Sequence, residues 1–398
     1  MAIGSSNFDL TQNREAVSTV SDAVPQRSFG QETSQRELVT LSENVFHSML
    51  LLERRRAERS RKPFVLMLLD AMPENRAARS LLEQAMEIIA SNKRETDLTG
   101  WYKAGSIAGV IFTEITSVSA EEAAPLAEVL REKMSGILLK YLGREKAAKI
   151  AISIHVFPES WDQNHKGWVA DNKLYPELNK ANSAKKLPQV IKRVMDIVGS
   201  GMLMLVISPI LALIAIAIKL TSKGPVVFKQ ERLGLLGKRF YCLKFRTMYT
   251  NNDPKIHQEY VSQYIAGKQQ SSNQGTGAQP VYKITNDPRV TSVGRLLRKT
   301  SLDELPQFWN VLRGEMSLVG PRPPVPYEFE IYDPWHRRKV LEVKPGVTGL
   351  WQVSGRSRTR FDEMVRLDLR YCQSWSLWLD IKILLATPGA IFSGDGAY

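Results

Sequence analysis

Between residues 45 and 158 the apolar positions follow two different periods. Leu, Val, Ile and Phe recur every three to four residues in VFHSMLLLERRRAERS (45–60), NRAARSLLEQAMEIIASN (75–92) and APLAEVLREKMSGILLKYL (124–142), which predicts helices. The shorter apolar runs PFVLMLLDA (63–71), DLTGWYKA (97–104), SIAGVIFTEI (106–115) and KIAISIHVFP (149–158) predict strands. After the leading helix the order is βαββαβ, a ferredoxin-like arrangement with an antiparallel sheet and helices on one face. Residues 1–35 are rich in Ser, Thr, Gln and Asn and show no period, so a disordered tail is expected there. Residues 36–158 form the first globular unit, and the polar, Lys/Asn-rich stretch 159–189 reads as a linker. Residues 190–398 form a second unit with a polar insertion at 266–280. No internal repeat is visible. The fold class expected is α+β.

Ile197 to Ile218 is a run of 22 residues without a charge. As a straight helix it would be about 33 Å long, the thickness of a bilayer's hydrocarbon core. Two features argue against a simple span. Ser208-Pro209 sits mid-run, and a proline inside a helix costs about 3 kcal/mol. Both flanks are positive: Lys185, Lys186, Lys192 and Arg193 before, Lys219 and Lys223 after. A spanning helix carries its positive excess on one side. The expectation is therefore a re-entrant helix–break–helix over 190–222 that enters and leaves by one face, with the Ser208 hydroxyl serving the exposed backbone. A kinked span and a buried soluble helix are the alternatives.

Composition sharpens this picture. The chain has 398 residues, 54 Lys+Arg against 41 Asp+Glu, and a net charge of +13. Twelve of those cations, against two acids, fall within residues 181–250, around the apolar run. That clustering points to a membrane surface before nucleic acid, and no nucleic-acid motif accompanies it. The two cysteines, Cys242 and Cys372, suggest neither a disulfide framework nor zinc. The polar N-terminus has no apolar core of a signal peptide, and a reducing, cytosol-facing location is expected.

Beyond the run, GPVVFKQERLG (224–234) and YCLKFRTM (241–248) place Gln230, Arg232, Lys244 and Arg246 close to the membrane exit. These cations read either as a solvated face or as phosphate-binding groups at the headgroup level. LGLLGK lacks P-loop spacing. In SLDELPQFWNVLRGEMSLVGPRP (301–323), Leu302, Leu305, Phe308, Trp309 and Leu312 recur at helical spacing, so Asp303-Glu304 stands at a helix start. Ser301-x-x-Glu304 is a capping box, and taken alone the acids serve the helix terminus. Their neighbours open a second reading. Arg295, Arg298 and Lys299 precede the pair and Arg322 follows in Gly-Pro-Arg-Pro. A carboxylate can attack phosphorus and split one displacement into two. Mg²⁺ and arginine forks must then offset repulsion from an anionic diphosphate.

The first unit resembles the diguanylate cyclase type of domain through ERRRAERSRKPFVLMLLD, RETDLTGWYKAG and ISIHVFP. Where that family carries its acidic signature loop, Trp101–Ser106 reads WYKAGS without a carboxylate. The resemblance therefore implies a catalytically dead regulatory or docking domain, with a plain spacer as the alternative. Residues 190–398 resemble the bacterial monotopic polyprenyl-phosphate sugar-1-phosphate transferases. The blocks are KRVMD, Ser208-Pro209, GPVVFKQERLG, KFRTM, SLDELPQFWNVLRGEMSLVGPRP, KPGVTGLWQVSGR and WSLWLDIKIL. This resemblance implies a mostly helical α/β catalytic domain over 223–398. It also implies transfer of a sugar-1-phosphate, with hexose expected, from a UDP-sugar to undecaprenyl phosphate, with release of UMP.

Carried over residue by residue, Asp303 is the nucleophile and Glu304 its partner. Asp303, Glu304 and Asp380 are the candidates for Mg²⁺; for Asp380 the alternatives are support of the helix arrangement and a simple polar–apolar boundary. Arg298, Arg322 and Lys244 are expected on phosphate, with Arg232 and Arg246 beside them, and Ser208 and Pro209 set the membrane break. Glu315 stands where the family often has Asp. Arg356 and Arg358 are solvated or ligand-facing, and His257 and His336 receive no role. The implied partners are the UDP-sugar, undecaprenyl phosphate and membrane lipids, at the cytoplasmic face of a bacterial inner membrane. A homodimer is compatible with this arrangement. An inactive membrane scaffold or sensor is the competing function.

Overall fold

The computed structural model describes residues 40–71, 75–113, 115, 120–159, 170–177, 186–250, 255–267, 287, 289–355 and 359–392. The tail expected over 1–35, nearly all of the insertion at 266–280, Lys185, Arg356 and Arg358 lie outside the described residues.

The first half is α1 (Glu43–Ser60), β1 (Phe64–Ala71), α2 (Arg76–Asn92), β2 (Leu98–Lys103), β3 (Ile107–Phe112), α3 (Ala120–Leu142) and β4 (Ile150–Phe157). The strands pair in the order β2-β3-β1-β4, antiparallel throughout, which is the predicted arrangement. The cover differs from the expectation of helices on one face only. Alternate residues of a strand point to opposite faces, and β1 is apolar at nearly every position. Val65, Met67 and Leu69 pack with Leu82, Met86 and Ile89 of α2 and Met134 and Leu138 of α3. Phe64, Leu66 and Leu68 pack on the other face with Phe46 and Leu50 of α1. Gly100 and Gly109 are cross-strand partners. A Cβ at either would come within 3 Å of the Phe46 ring, so this glycine pair is the slot that seats α1 on the sheet.

That second face is also where the two halves meet. Phe46, Leu50, Phe64 and Leu66 share one core with Phe329, Tyr332, Val340, Leu341, Phe361 and Val365 of the second half. Residues 170–177, expected as linker, lie in this joint: Leu174 and Tyr175 are buried in the same core. Polar contacts line its edge. Arg54 pairs with Glu177, Arg61 with Asp333 at 2.8 Å, and Arg337 donates to the Glu159 carbonyl at 3.2 Å. The first half is therefore a packed partner of the second rather than a domain on a tether.

The second half opens with α4 (Lys186–Thr221), a helix of 36 residues and, among the described residues, the one long and apolar enough to cross a membrane. The expected re-entrant break at Ser208 and Pro209 is corrected in one respect, because the helix runs through it without interruption. Pro209 has no amide to give the Leu205 carbonyl, and the Ser208 hydroxyl donates to that carbonyl instead, at 2.8 Å. The ends of α4 nevertheless return to one body. Near its start Arg193 donates to the carbonyls of Val311 and Leu312, and Asp196 accepts from the Leu318 amide and the Ser317 hydroxyl. Near its end Ile214 and Ile218 pack with Leu297, Leu302 and Leu305. Pro209 lies between these two seats, at the kind of position where a proline bends a helix. Between the two seats Met202, Leu205, Val206 and Leu213 stand exposed.

The rest is β5 (Val227–Leu233) hairpinned to β6 (Arg239–Phe245), α5 (Lys255–Ile265), α6 (Ser292–Thr300), α7 (Gln307–Arg313), β7 (Ser317–Val319), α8 (Pro326–Glu330) and α9 (Pro334–Arg337). Then follow β8 (Gly346–Thr348), parallel to β7, and α10 (Leu350–Ser354), α11 (Phe361–Ser374) and α12 (Leu377–Phe392). Most of this half is helical, as expected.

Candidate functional site

Asp303 and Glu304 lie in a single 3-10 turn, Leu302–Glu304, between α6 and α7. Both flanking helices are held hard against β6. Thr291 caps α6, its hydroxyl accepting from the Gly294 amide at 2.9 Å, and its own amide donates to the Thr247 carbonyl. Gly294 presses on that carbonyl so closely that a Cβ would come within 2.1 Å of it. On the other side Asn310 is fully buried in α7 and ties it to β6, accepting from the Leu243 amide and donating to the Tyr241 carbonyl. The acidic turn is thus stretched between two clamps. Ser301, at its start, has φ 58°, a left-handed conformation uncommon for a residue with a side chain.

The capping box predicted for Ser301 and Glu304 is not made. The Ser301 side chain forms no cap hydrogen bond, and Glu304 instead faces Lys244, whose Nζ is 2.6 Å from its Oε1. Arg298 donates from Nε to the Thr247 hydroxyl at 3.0 Å. Burial pulls the Arg298 guanidinium below its ordinary value, and the nearby carboxylates of Asp303 and Asp287 pull it back. Asp303, Glu304, Lys244 and Arg298 therefore lie in one cluster. The same neighbourhood extends through Cys242. Burial pushes its thiol up, and it lies within the fields of Arg232, Lys244, Glu304 and Arg322.

Three other predicted positions are placed differently. Arg232 is buried, spending its guanidinium on the Pro323 carbonyl at 2.6 Å and on the Gln230 amide oxygen, so it builds the Arg322 loop instead of reaching for phosphate. Arg246 is likewise buried and donates to the carbonyl and hydroxyl of Ser222, pinning the exit of α4. Asp380 is corrected as a metal candidate. Its two oxygens take the Lys192 ammonium at 2.6 Å, the Tyr371 hydroxyl at 2.7 Å and the Trp375 indole at 3.2 Å. It supports the helix arrangement, its other reading, by holding the start of α4. Ser208 and Pro209 lie within α4, the Ser208 hydroxyl taking the Leu205 carbonyl.

Sequence reasoning missed Asn310, Thr247 and Glu328. Asn310 had a signal of sorts, as a polar residue between the apolar positions Trp309 and Val311. Thr247 depends on partners remote in sequence, Thr291 and Arg298, whereas the partners of Glu328, namely Arg322 and Val325, lie close by in the chain.

Among the described residues no group of three Asp, Glu, His or Cys side chains could enclose a metal. Two adjacent carboxylates remain, Asp303 and Glu304. Mg²⁺ is characteristically held by one or two carboxylates with the balance from substrate phosphates and water, so the donor set suits Mg²⁺ brought in with a diphosphate.

The profile of the bacterial sugar transferase family matches residues 187–394. The galactosyl transferase CpsE of Streptococcus agalactiae is 43% identical over 209 residues, covering 52% of this chain and 43% of that protein. The undecaprenyl-phosphate galactose phosphotransferase of Salmonella typhimurium is 43% identical over 218 residues, 54% of this chain and 44% of that one. The exopolysaccharide production protein ExoY of Rhizobium meliloti is 40% identical over 207 residues, 52% of this chain and 88% of that one. The chain thus spans less than half the length of the first two. Among solved structures, a DGC protein from Thermotoga maritima aligns with 31% of this chain and 85% of its own, at 17% identity and a TM-score of 0.24, too low to carry an inference.

Proposed function

The chain belongs to the bacterial sugar transferase family, and on that premise we propose that it transfers a sugar-1-phosphate from a UDP-sugar to undecaprenyl phosphate. The product would begin an exopolysaccharide or capsule repeat unit. The observation that carries this reading is the acidic turn: Asp303 and Glu304 stand among Lys244 and Arg298, in a turn whose Leu302 packs with the apolar helix.

In this mechanism a carboxylate oxygen of Asp303 attacks the β-phosphorus of the UDP-sugar. The bond from that phosphorus to the bridging oxygen breaks, UMP departs with the bridging oxygen and its electron pair, and the sugar phosphate is left esterified to Asp303. A phosphate oxygen of undecaprenyl phosphate then attacks the same phosphorus and frees the carboxylate. The difficulty is electrostatic. Two unit negative charges 4 Å apart repel by about 4 kcal/mol at an effective dielectric of 20. Arg298, Lys244 and Arg322 would offset that repulsion by binding phosphate oxygens, the arginines through planar two-donor forks. Mg²⁺, held by Asp303 and Glu304, would neutralise charge on the diphosphate. α4 would seat this site at the cytoplasmic headgroup plane, where a soluble donor and a lipid acceptor can both reach it.

The test is UMP release by the detergent-solubilised protein with Mg²⁺, a panel of UDP-sugars, and undecaprenyl phosphate present or omitted. Lipid-dependent UMP release is expected, hexose donors leading. Asp303→Asn should abolish it, and radiolabelled sugar phosphate should be captured on Asp303 in the wild type. A fully active Asp303→Asn protein rejects the mechanism. Absence of UMP release from every donor rejects the activity and leaves the scaffold reading.

A further inference from the structure

Glu328 is 1% exposed. Its Oε1 lies 3.4 Å from Nη2 of Arg322, and its Oε2 accepts the Val325 amide at 3.1 Å. The loop it closes holds Pro321, Pro323, Pro324 and Pro326, whose backbones are largely fixed in φ. Arg232 lies against this loop through the Pro323 carbonyl. Lys339 and Asp368, both fully buried, pair at 3.3 Å beside it. Burial pushes the Glu328 carboxyl up, but Arg322, Arg232 and the Val325 amide outweigh it and hold the group below the usual carboxylate range. Glu328 is thus an ionised carboxylate with no exposure to water.

The charges of this cluster do not balance. Arg232, Arg322 and Lys339 are cations, and Glu328 and Asp368 are the anions around them. The surplus is one positive charge among the described residues, and its outlet is visible. Arg322 has a side chain 31% exposed, whereas those of Glu328, Lys339 and Asp368 are 2%, 0% and 1% exposed. A guanidinium gripped from one side by a buried carboxylate has its remaining donors set in direction before any ligand arrives, which is how orientation is secured in advance of binding.

We propose that Glu328 is a positioning residue for Arg322, fixing the guanidinium so that its outward donors meet the phosphate oxygens of the diphosphate donor. This rests on the transferase reading above. Glu328 itself touches no substrate. Its role is separable from charge balance, because Arg232 offers a compensating cation in the same cluster.

The experiment compares the wild-type chain with Glu328→Gln, the double variant Arg232→Gln/Glu328→Gln, and Arg322→Ala as the reference for a lost guanidinium. The double variant removes one charge of each sign and leaves the surplus unchanged. Two readouts are taken: kcat/KM for lipid-dependent UMP release, and the rise in melting temperature with inorganic pyrophosphate. Both Glu328 variants should lose at least tenfold in kcat/KM and most of the pyrophosphate-induced rise. The double variant should recover part of the ligand-free melting temperature lost in Glu328→Gln, the Pro323 carbonyl having lost its Arg232 donor. The proposal is overturned if the double variant recovers transfer and the pyrophosphate response together with its stability, since Glu328 would then only balance charge. It is equally overturned if Arg322→Ala responds to pyrophosphate like the wild type. Should the wild type release no UMP from any donor, the transferase reading fails by itself and the pyrophosphate arm still decides the role of Glu328.

Discussion

Lys244 Nζ sits 2.6 Å from Glu304 Oε1, and the two residues come from different elements, β6 and the turn before α7. The pair is part-exposed, 24% and 36% for the two side chains. Such pairs contribute about 0–1 kcal/mol to stability. A contact between a cation and a phosphate oxygen is worth about 1.5–3 kcal/mol, or roughly 10- to 150-fold in rate. Lys244→Met should therefore lower UMP release by that factor while leaving the melting temperature within a degree or two. Kinetics and calorimetry on one preparation check both halves.

Asp380 gives the opposite signature. Its Lys192 partner and its own carboxylate are nearly enclosed, and removing one member of a buried pair costs about 3–5 kcal/mol. Asp380→Asn should lower the melting temperature sharply. Wherever folded protein is recovered, the Mg²⁺ concentration giving half-maximal activity should be unchanged. A shifted Mg²⁺ requirement would restore Asp380 to the metal site.

Phe46 fills the slot over Gly100 and Gly109 at the joint of the two halves. Phe46→Ala should cost about 3–5 kcal/mol. The loss should appear as lowered transferase activity at assay temperature as well as lowered denaturant resistance, because the same core contains Phe329 and Val365. Urea unfolding followed alongside UMP release tests this.

The return of both ends of α4 to one body makes a topological prediction. Single cysteines at Lys186 and Lys223 should both react with a membrane-impermeant thiol reagent added to the cytoplasmic side of inverted vesicles, after Cys242→Ser and Cys372→Ser. Protection of one of the two would mean that the helix spans.

Glu159 supplies a pH dependence. Burial pushes its carboxyl up to about 7, against the opposing hydrogen bonds from the Asp171 amide and the Tyr175 hydroxyl. The folded state then binds a proton that the unfolded chain releases near pH 4.5. The stability contributed by this group is complete below about pH 4.5 and is lost as pH rises through about 7. Glu159→Gln should flatten the decline in melting temperature between pH 5.5 and 8 relative to the wild type.

Local pattern made much of this molecule legible. The βαββαβ order follows from two periods of apolar spacing, and the acidic turn from residues contiguous in the chain. The run over 197–218 announced both its apolar character and its proline. What stayed hidden depends on partners remote in sequence. Arg232 and Arg246 look like surface cations until Pro323 and Ser222 arrive to take their donors. Asp380 looks like a ligand until Lys192, nearly two hundred residues earlier, claims it. The second cover on the sheet was encoded in the unbroken apolarity of β1, but nothing in that strand says which helix provides it. The Ser208 hydroxyl's bond to the Leu205 carbonyl, made beside Pro209, is likewise something no periodicity reports.

The core shared across the two halves bears on how such a protein can change over generations. Folds that meet through a solvated hinge can be swapped, lost or duplicated like beads on a string. Here, excising the amino-terminal fold would lay Phe329, Tyr332 and Leu341 open to water, so the two halves are bound to one another. A fold that covers so much apolar surface is then kept for the shelter it gives its neighbour.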